Sequence, residues 1–123
     1  MPKVLIIEDD QRINKVYNLK LAMDGIETAT AIDGEEGLRK VYSESPDLIL
    51  LDLMLPKKSG FEILKEIKSN PKTKDIPVII LSNLAQEKEK EEGMALGAID
   101  YIVKSNVSIQ QIMEKVKVVL QKN

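Results

Sequence analysis

The chain has 123 residues, 43% hydrophobic and 31% charged, the profile of one folded domain with a sizeable core and not of a disordered segment. Lys and Arg total 18 against 20 Asp and Glu, a net charge of −2, so no global field draws it toward nucleic acid or anionic lipid. With no Cys and no His, disulfides, thiolate nucleophiles and histidine bases are excluded, and any chemistry must run on carboxylates, hydroxyls, amides and Lys or Arg.

In chain order, short apolar runs alternate with amphipathic stretches. Val4–Ile7 reads as a strand, followed by a helix with Ile13, Val16, Tyr17 and Leu21 on its inner face. After the Asp24-Gly25 turn, Ile26–Ala31 is a weaker strand, rich in β-branched residues. Asp33 with Glu36 reads as a helix start, and Leu38, Val41 and Tyr42 supply that helix's inner face before Pro46. Leu48–Leu51 is a third strand. Ser59 with Glu62 opens a third helix carrying Ile63, Leu64 and Ile67, which Asn70-Pro71 ends. Ile76–Leu81 is apolar on both faces, as a central parallel strand should be.

Gln86–Leu96 reads as a fourth helix, with Gly97 suited to a left-handed cap. Its run Glu87-Lys88-Glu89-Lys90-Glu91-Glu92 reads as a solvated face laced with i,i+3 and i,i+4 pairs. Ile99–Val103 is a fifth strand. Ser108 with Gln111 opens a last helix with Ile109, Ile112, Met113, Val116, Val119 and Leu120 inward. The βαβαβαβαβα order predicts a single α/β domain over 1–123, a parallel sheet with helices on both faces and right-handed crossovers. No stretch approaches the ~18 apolar residues of a membrane span, and the start is too short for a secretory signal. The expected location is cytoplasmic.

In an open parallel sheet, ligands bind beyond the carboxyl ends of the strands. The residues standing where the apolar runs stop are Glu8, Asp9 and Asp10, then Asp52, Ser82 and Lys104. Asp10 is open to two readings, a member of the acidic cluster or the cap of the first helix. Carboxylates crowded together repel unless a positive charge sits among them. A hard, oxygen-seeking divalent cation, Mg²⁺ foremost, answers that need.

These residues lie in four motifs: Ile6-Ile7-Glu8-Asp9-Asp10, Leu50-Leu51-Asp52-Leu53-Met54-Leu55-Pro56 with Ser59-Gly60, Ile79-Ile80-Leu81-Ser82, and Tyr101-Ile102-Val103-Lys104. Any one is weak; all four in order are specific. The chain resembles, over essentially its whole length, a response-regulator receiver domain of two-component signalling. The resemblance implies a flavodoxin-like doubly wound sheet of five parallel strands in the order 2-1-3-4-5. It implies Asp52 as the phosphoacceptor toward a phosphohistidine on a histidine kinase or histidine phosphotransfer protein. It further implies Mg²⁺ held by Glu8, Asp9, Asp52 and the backbone carbonyl of Met54, with Asp9 the more direct ligand. Ser82 and Lys104 would contact the phosphoryl group, and Ser82 with Tyr101 would form the switch.

A downstream effector would read the face formed by the fourth helix, fifth strand and fifth helix. Direct binding to nucleic acid or membrane is not expected. For Tyr101 a plain half-buried aromatic is the competing reading.

The sequence departs from the family pattern at three places: Ser105 follows Lys104 where proline is usual, Asn83 replaces a very small residue, and Met54 and Leu84 are apolar where polar groups are common. Two other functions compete. A pseudo-receiver would keep the fold without accepting phosphate, but the acids, the hydroxyl and the lysine are all present. A flavin carrier would need a phosphate loop and stacking aromatics, whereas acids follow the first strand, aromatics are 3% and Trp is absent. The missing GxxxxGK[ST] pattern excludes a P-loop enzyme.

Overall fold

A computed structural model describes residues 2–122. Five parallel strands, β1 (Lys3–Ile7), β2 (Glu27–Ala31), β3 (Leu48–Leu51), β4 (Val78–Ser82) and β5 (Asp100–Val103), form one sheet in the order β2-β1-β3-β4-β5. The helices are α1 (Gln11–Met23), α2 (Gly34–Glu44), α3 (Gly60–Ser69), α4 (Glu87–Ala95) and α5 (Ile109–Gln121). This is the flavodoxin-like doubly wound arrangement.

Strand alternation builds two cores from the same strands. Val4, Ile6, Leu48, Leu50, Ile79 and Leu81 pack with α1 and α5 through Tyr17, Leu21, Ile112, Met113 and Val116. The intervening Leu5, Ile7, Ile49, Leu51, Val78 and Ile80 pack with α2 and α3 through Val41, Ile63, Leu64 and Ile67. Both faces of β1, β3 and β4 are therefore covered, which is why these strands read as unbroken apolar runs. Each fully buried Leu or Ile contributes roughly 1.5–3 kcal/mol, so the central strands carry much of the fold's burial energy.

The helix starts follow local chemistry. Asp10 caps α1 by accepting from the Arg12 N–H at 2.9 Å, and Asp33 caps α2 by accepting from the Glu36 N–H at 2.8 Å. Ser108 and Gln111 form a reciprocal capping box at α5. At α3 only half of that device forms: Ser59 accepts from the Glu62 N–H at 3.3 Å, while the Glu62 carboxylate meets the Ser59 hydroxyl. Gly97, at φ +110°, turns the chain after α4.

Four details differ from the sequence expectation. The fourth strand starts at Val78, later than Ile76, because Pro77 removes a ladder donor. On α1, Asn14 takes an inward place and Val16 is partly exposed. Tyr42 of α2 and Ile109 of α5 are exposed, so the inner faces are narrower than their periodicity suggests. Within Glu87–Glu92 no ion pair closes among the described residues, and the run is a mostly exposed face without the lacing. Among the described residues no helix is long and apolar enough to cross a membrane.

Candidate phosphoacceptor and metal site

The register of the sheet delivers the acids. Ile7 pairs with Leu51 at the ends of β1 and β3, and the Asp52 N–H still donates to the Ile7 carbonyl at 3.0 Å. The next residues, Glu8 and Asp52, therefore leave adjacent strands side by side, on the α1/α5 side of the sheet. Both are nearly sealed, with exposures of 3% for Glu8 and 8% for Asp52. Asp9 stands exposed beside them. One carboxylate oxygen from each of Glu8, Asp9 and Asp52 lies within 4.8 Å of the others, a group that could hold a metal ion.

Lys104 follows β5 and crosses to this cluster. Its ammonium hydrogen-bonds the Glu8 carboxylate and lies 3.2 Å from Asp52 Oδ2. Burial pulls the lysine's pKa down, but the Glu8 hydrogen bond and the charges of Asp52 and Glu8 outweigh it and hold it above its ordinary value. The ammonium thus stays charged and offsets part of the acids' mutual repulsion. Asp9 is the member left over: its hydrogen bonding to Glu8, then partial burial and the Glu8 charge, raise its carboxyl above the ordinary range. A cation there would reverse this. The donor set, three carboxylates with hard oxygens, suits such an ion.

Asp52 is fixed from a second direction. The Met54 N–H donates to its Oδ1 at 3.1 Å, while Gly60 at the start of α3 donates to the Leu53 carbonyl at 3.0 Å. A Cβ on Gly60 would collide with the Asp52 carbonyl and the Leu53 Cα. Only glycine lets α3 approach the Asp52–Leu53 backbone this closely. Met54 itself is 61% exposed.

Ser82 ends β4 at the same sheet edge but on the opposite side, facing α3 and α4 by strand alternation. It is fully buried, and its hydroxyl accepts from the Leu84 N–H at 3.1 Å, engaged with its own loop and not with the acids. Tyr101 in β5 donates its hydroxyl to the Leu84 carbonyl at 2.7 Å. The geometry therefore brings Glu8, Asp9, Asp52 and Lys104 together and groups Ser82 with Tyr101 around Leu84. The Lys104–Ser105 peptide is trans, as are all peptide bonds among the described residues, and Lys104–Asn106 form a short 3-10 turn.

A family model described as the response regulator receiver domain matches residues 4–117. The chain belongs to this receiver family. It is 37% identical over 122 residues to a DNA-binding dual master transcriptional regulator, RpaA, of Synechocystis, and 34% identical over 122 residues to the phosphate regulon regulator PhoB of Rhizobium meliloti. Those alignments cover 99% of this chain but 50% and 53% of the relatives, so the receiver spans about half the length of the curated relatives it matches. Among solved structures it is similar to a Francisella response-regulator receiver domain (TM-score 0.90, 34% identity, 99% and 98% of the two chains covered). It is also similar to the Vibrio cholerae chemotaxis protein CheY4 (TM-score 0.88, 30% identity, 97% and 98% covered).

One residue of the receiver's site region escapes a reading of the sequence. Asn14, on the inner face of α1, donates from Nδ2 to the Glu8 carbonyl at 2.8 Å. A polar residue inside an otherwise apolar stripe, six positions after an acid, is the available signal.

Proposed function

We propose that this receiver accepts a phosphoryl group on Asp52 in a Mg²⁺-dependent reaction and signals by a shift between two conformers. The observation that carries the reading is the closed group of Glu8, Asp9 and Asp52 with the Lys104 ammonium 3.2 Å from Asp52. The chain has no histidine, so a phosphohistidine donor sits on a partner, a histidine kinase or histidine phosphotransfer protein. The Asp52 carboxylate attacks phosphorus as the P–N bond breaks, and the departing imidazole keeps the electron pair. No general base is needed, because the nucleophile is already an anion.

Asp9, Glu8, Asp52 and the Met54 carbonyl would hold Mg²⁺, Asp9 as the direct carboxylate ligand; when bound, the ion would supply neutralisation of charge on the phosphoryl oxygens. Lys104 does the same from the other side. After transfer, Asp52 phosphate adds about −1.5 to −2 of charge. Lys104 is then drawn from Glu8 toward the phosphate. Ser82 exchanges its Leu84 contact for a phosphate oxygen, which frees the loop that Tyr101 holds. The effector would read the face of α4, β5 and α5, in keeping with a population shift of a pre-existing state. Such a module works in the cytoplasm.

Acetyl phosphate with Mg²⁺, followed by intact mass, tests the reading. Addition of one phosphoryl group that Asp52→Asn abolishes is the expected result. An unmodified wild-type chain would favour the pseudo-receiver, a fold kept for interaction alone.

A further inference from the structure

We propose that Asn14 is a positioning residue for the acid pair, its buried amide holding the Glu8 carbonyl so that the β1–α1 corner presents Glu8 and Asp9 to the cation. This rests on the metal-site reading above.

The corner is a closed ring of hydrogen bonds with Asp9 at its apex. The Asp10 N–H donates to Glu8 Oε2 at 3.1 Å, the Asn14 N–H donates to the Asp10 carbonyl at 3.1 Å, and Asn14 Nδ2 returns to the Glu8 carbonyl at 2.8 Å. The Glu8 N–H is held separately by the Ala31 carbonyl at 2.9 Å. Glu8 is thus clamped by β2 through its N–H, and by α1 only through Asn14. Removing the amide opens the ring at the one bond made by a side chain of α1. Asp9 is exposed, so its direction is set by the flanking backbone and not by packing.

Stability alone does not account for an amide at this place. Asn14 is 5% exposed, and its Oδ1 is buried without a hydrogen-bond partner among the described residues. An unpaired buried polar atom is destabilising. The neighbours on the same helix face, Tyr17 and Leu21, belong to the apolar core. The amide keeps this half-satisfied state while delivering one directed bond to the residue before Asp9.

The test is calorimetric titration of MgCl₂ into the whole chain, with thermal melting in EDTA alongside. Asn14→Leu matches the shape without the donor; Asn14→His keeps a ring N–H at the same reach; Asn14→Ser is polar but too short. We expect the Mg²⁺ dissociation constant to rise threefold or more in Asn14→Leu and Asn14→Ser, and to recover toward wild type in Asn14→His. A purely structural amide would move the melting temperatures and leave the affinity of the folded protein within twofold of wild type, which overturns the proposal. Wild-type protein that binds no Mg²⁺ overturns the metal-site reading itself, and the positioning role with it. If Asn14→Leu does not fold, the Asn14→Ser and Asn14→His pair decides by the same criterion.

Discussion

Replacing Asp52 with asparagine should leave the metal-free protein at least as stable as wild type. At an effective dielectric constant of about 20, opposite unit charges at the 3.2 Å between Lys104 and Asp52 attract by about 5 kcal/mol. Like charges at the outer limit of 4.8 Å set by the acid cluster repel by about 3.5 kcal/mol each. Glu8 is buried and acts at nearly that strength. Asp9 is exposed, so solvent screening reduces its share to about 1–2 kcal/mol. Attraction and repulsion therefore almost cancel, and the desolvation of a sealed carboxylate decides the sign.

That desolvation is worth several kcal/mol even after relaxation. The amide oxygen of the Asp52→Asn variant can still accept the Met54 N–H, and it escapes most of the desolvation. A net gain of about 1–2 kcal/mol, or roughly 4–8 °C in melting temperature for a chain of this size, is expected. Differential scanning calorimetry in EDTA measures it. Saturating Mg²⁺ should then reverse the order, because wild type gains about 2.7 kcal/mol at a hundredfold excess over its dissociation constant and the variant gains less. A metal-free variant melting several degrees below wild type would show that the Lys104 pair dominates and refute the balance.

In Mg²⁺ titrations, Asp9→Ala should weaken binding more than Glu8→Ala, because Glu8 already spends its oxygens on Lys104 and the Asp10 N–H whereas Asp9 is exposed; equal losses would remove the distinction. The raised Asp9 carboxyl takes up its proton earlier on acidification in the folded chain than in the unfolded one. Its contribution to metal-free stability should therefore grow as pH falls through that raised value, while Mg²⁺ affinity falls over the same range, and Asp9→Asn should flatten both profiles. On the proposed reading Met54, two places after Asp52, and Leu84, two after Ser82, offer the phosphate apolar side chains that cannot hold an attacking water, so Met54→Asn with Leu84→Glu should speed loss of phosphate about tenfold, a barrier change of ~1.4 kcal/mol. A double variant losing phosphate at the wild-type rate in a mass time course would end that argument.

The site is legible where one residue ends one strand. Glu8, Asp9, Asp52 and Lys104 each stand one or two places beyond an apolar run, and strand register alone brings such positions to one edge. Both cores are equally accessible, since runs such as Leu48–Leu51 have only one buried solution, whereas the sheet order follows from the family resemblance and not from the runs. Side-chain direction is less accessible. Ser82 also ends its strand, but alternation puts it on the other side of the sheet from Asp52, and its hydroxyl closes a turn with Leu84. Asn14 is passed over because periodicity weighs hydropathy, and an amide buried for a single backbone carbonyl looks like any polar residue. Val16 takes its place in the predicted stripe for the same reason.

The two halves of the site differ in how firmly they are held, and that difference bears on signalling. The acids rise from β1 and β3, whose apolar residues Val4–Ile7 and Leu48–Leu51 are sealed on both faces. By contrast, α4 has one buried residue, Gly93, and no side-chain cap at Gln86. A Cβ at Gly93 would lie 2.5 Å from Ile80 Cδ1 and 3.4 Å from the Tyr101 ring, so at its one buried residue α4 meets the sheet by bare backbone. Ser82, the Leu84 backbone and Tyr101 form a hydrogen-bonded chain running from the sheet edge to that contact. One hydrogen bond is worth about 1 kcal/mol net, a small sum against the burial of β3 but a large one against so thin an attachment. Elements with few buried contacts open at the lowest free energy. On the proposed reading, a charge added at Asp52 leaves the strands that carry it in place and moves the helix that has least to lose.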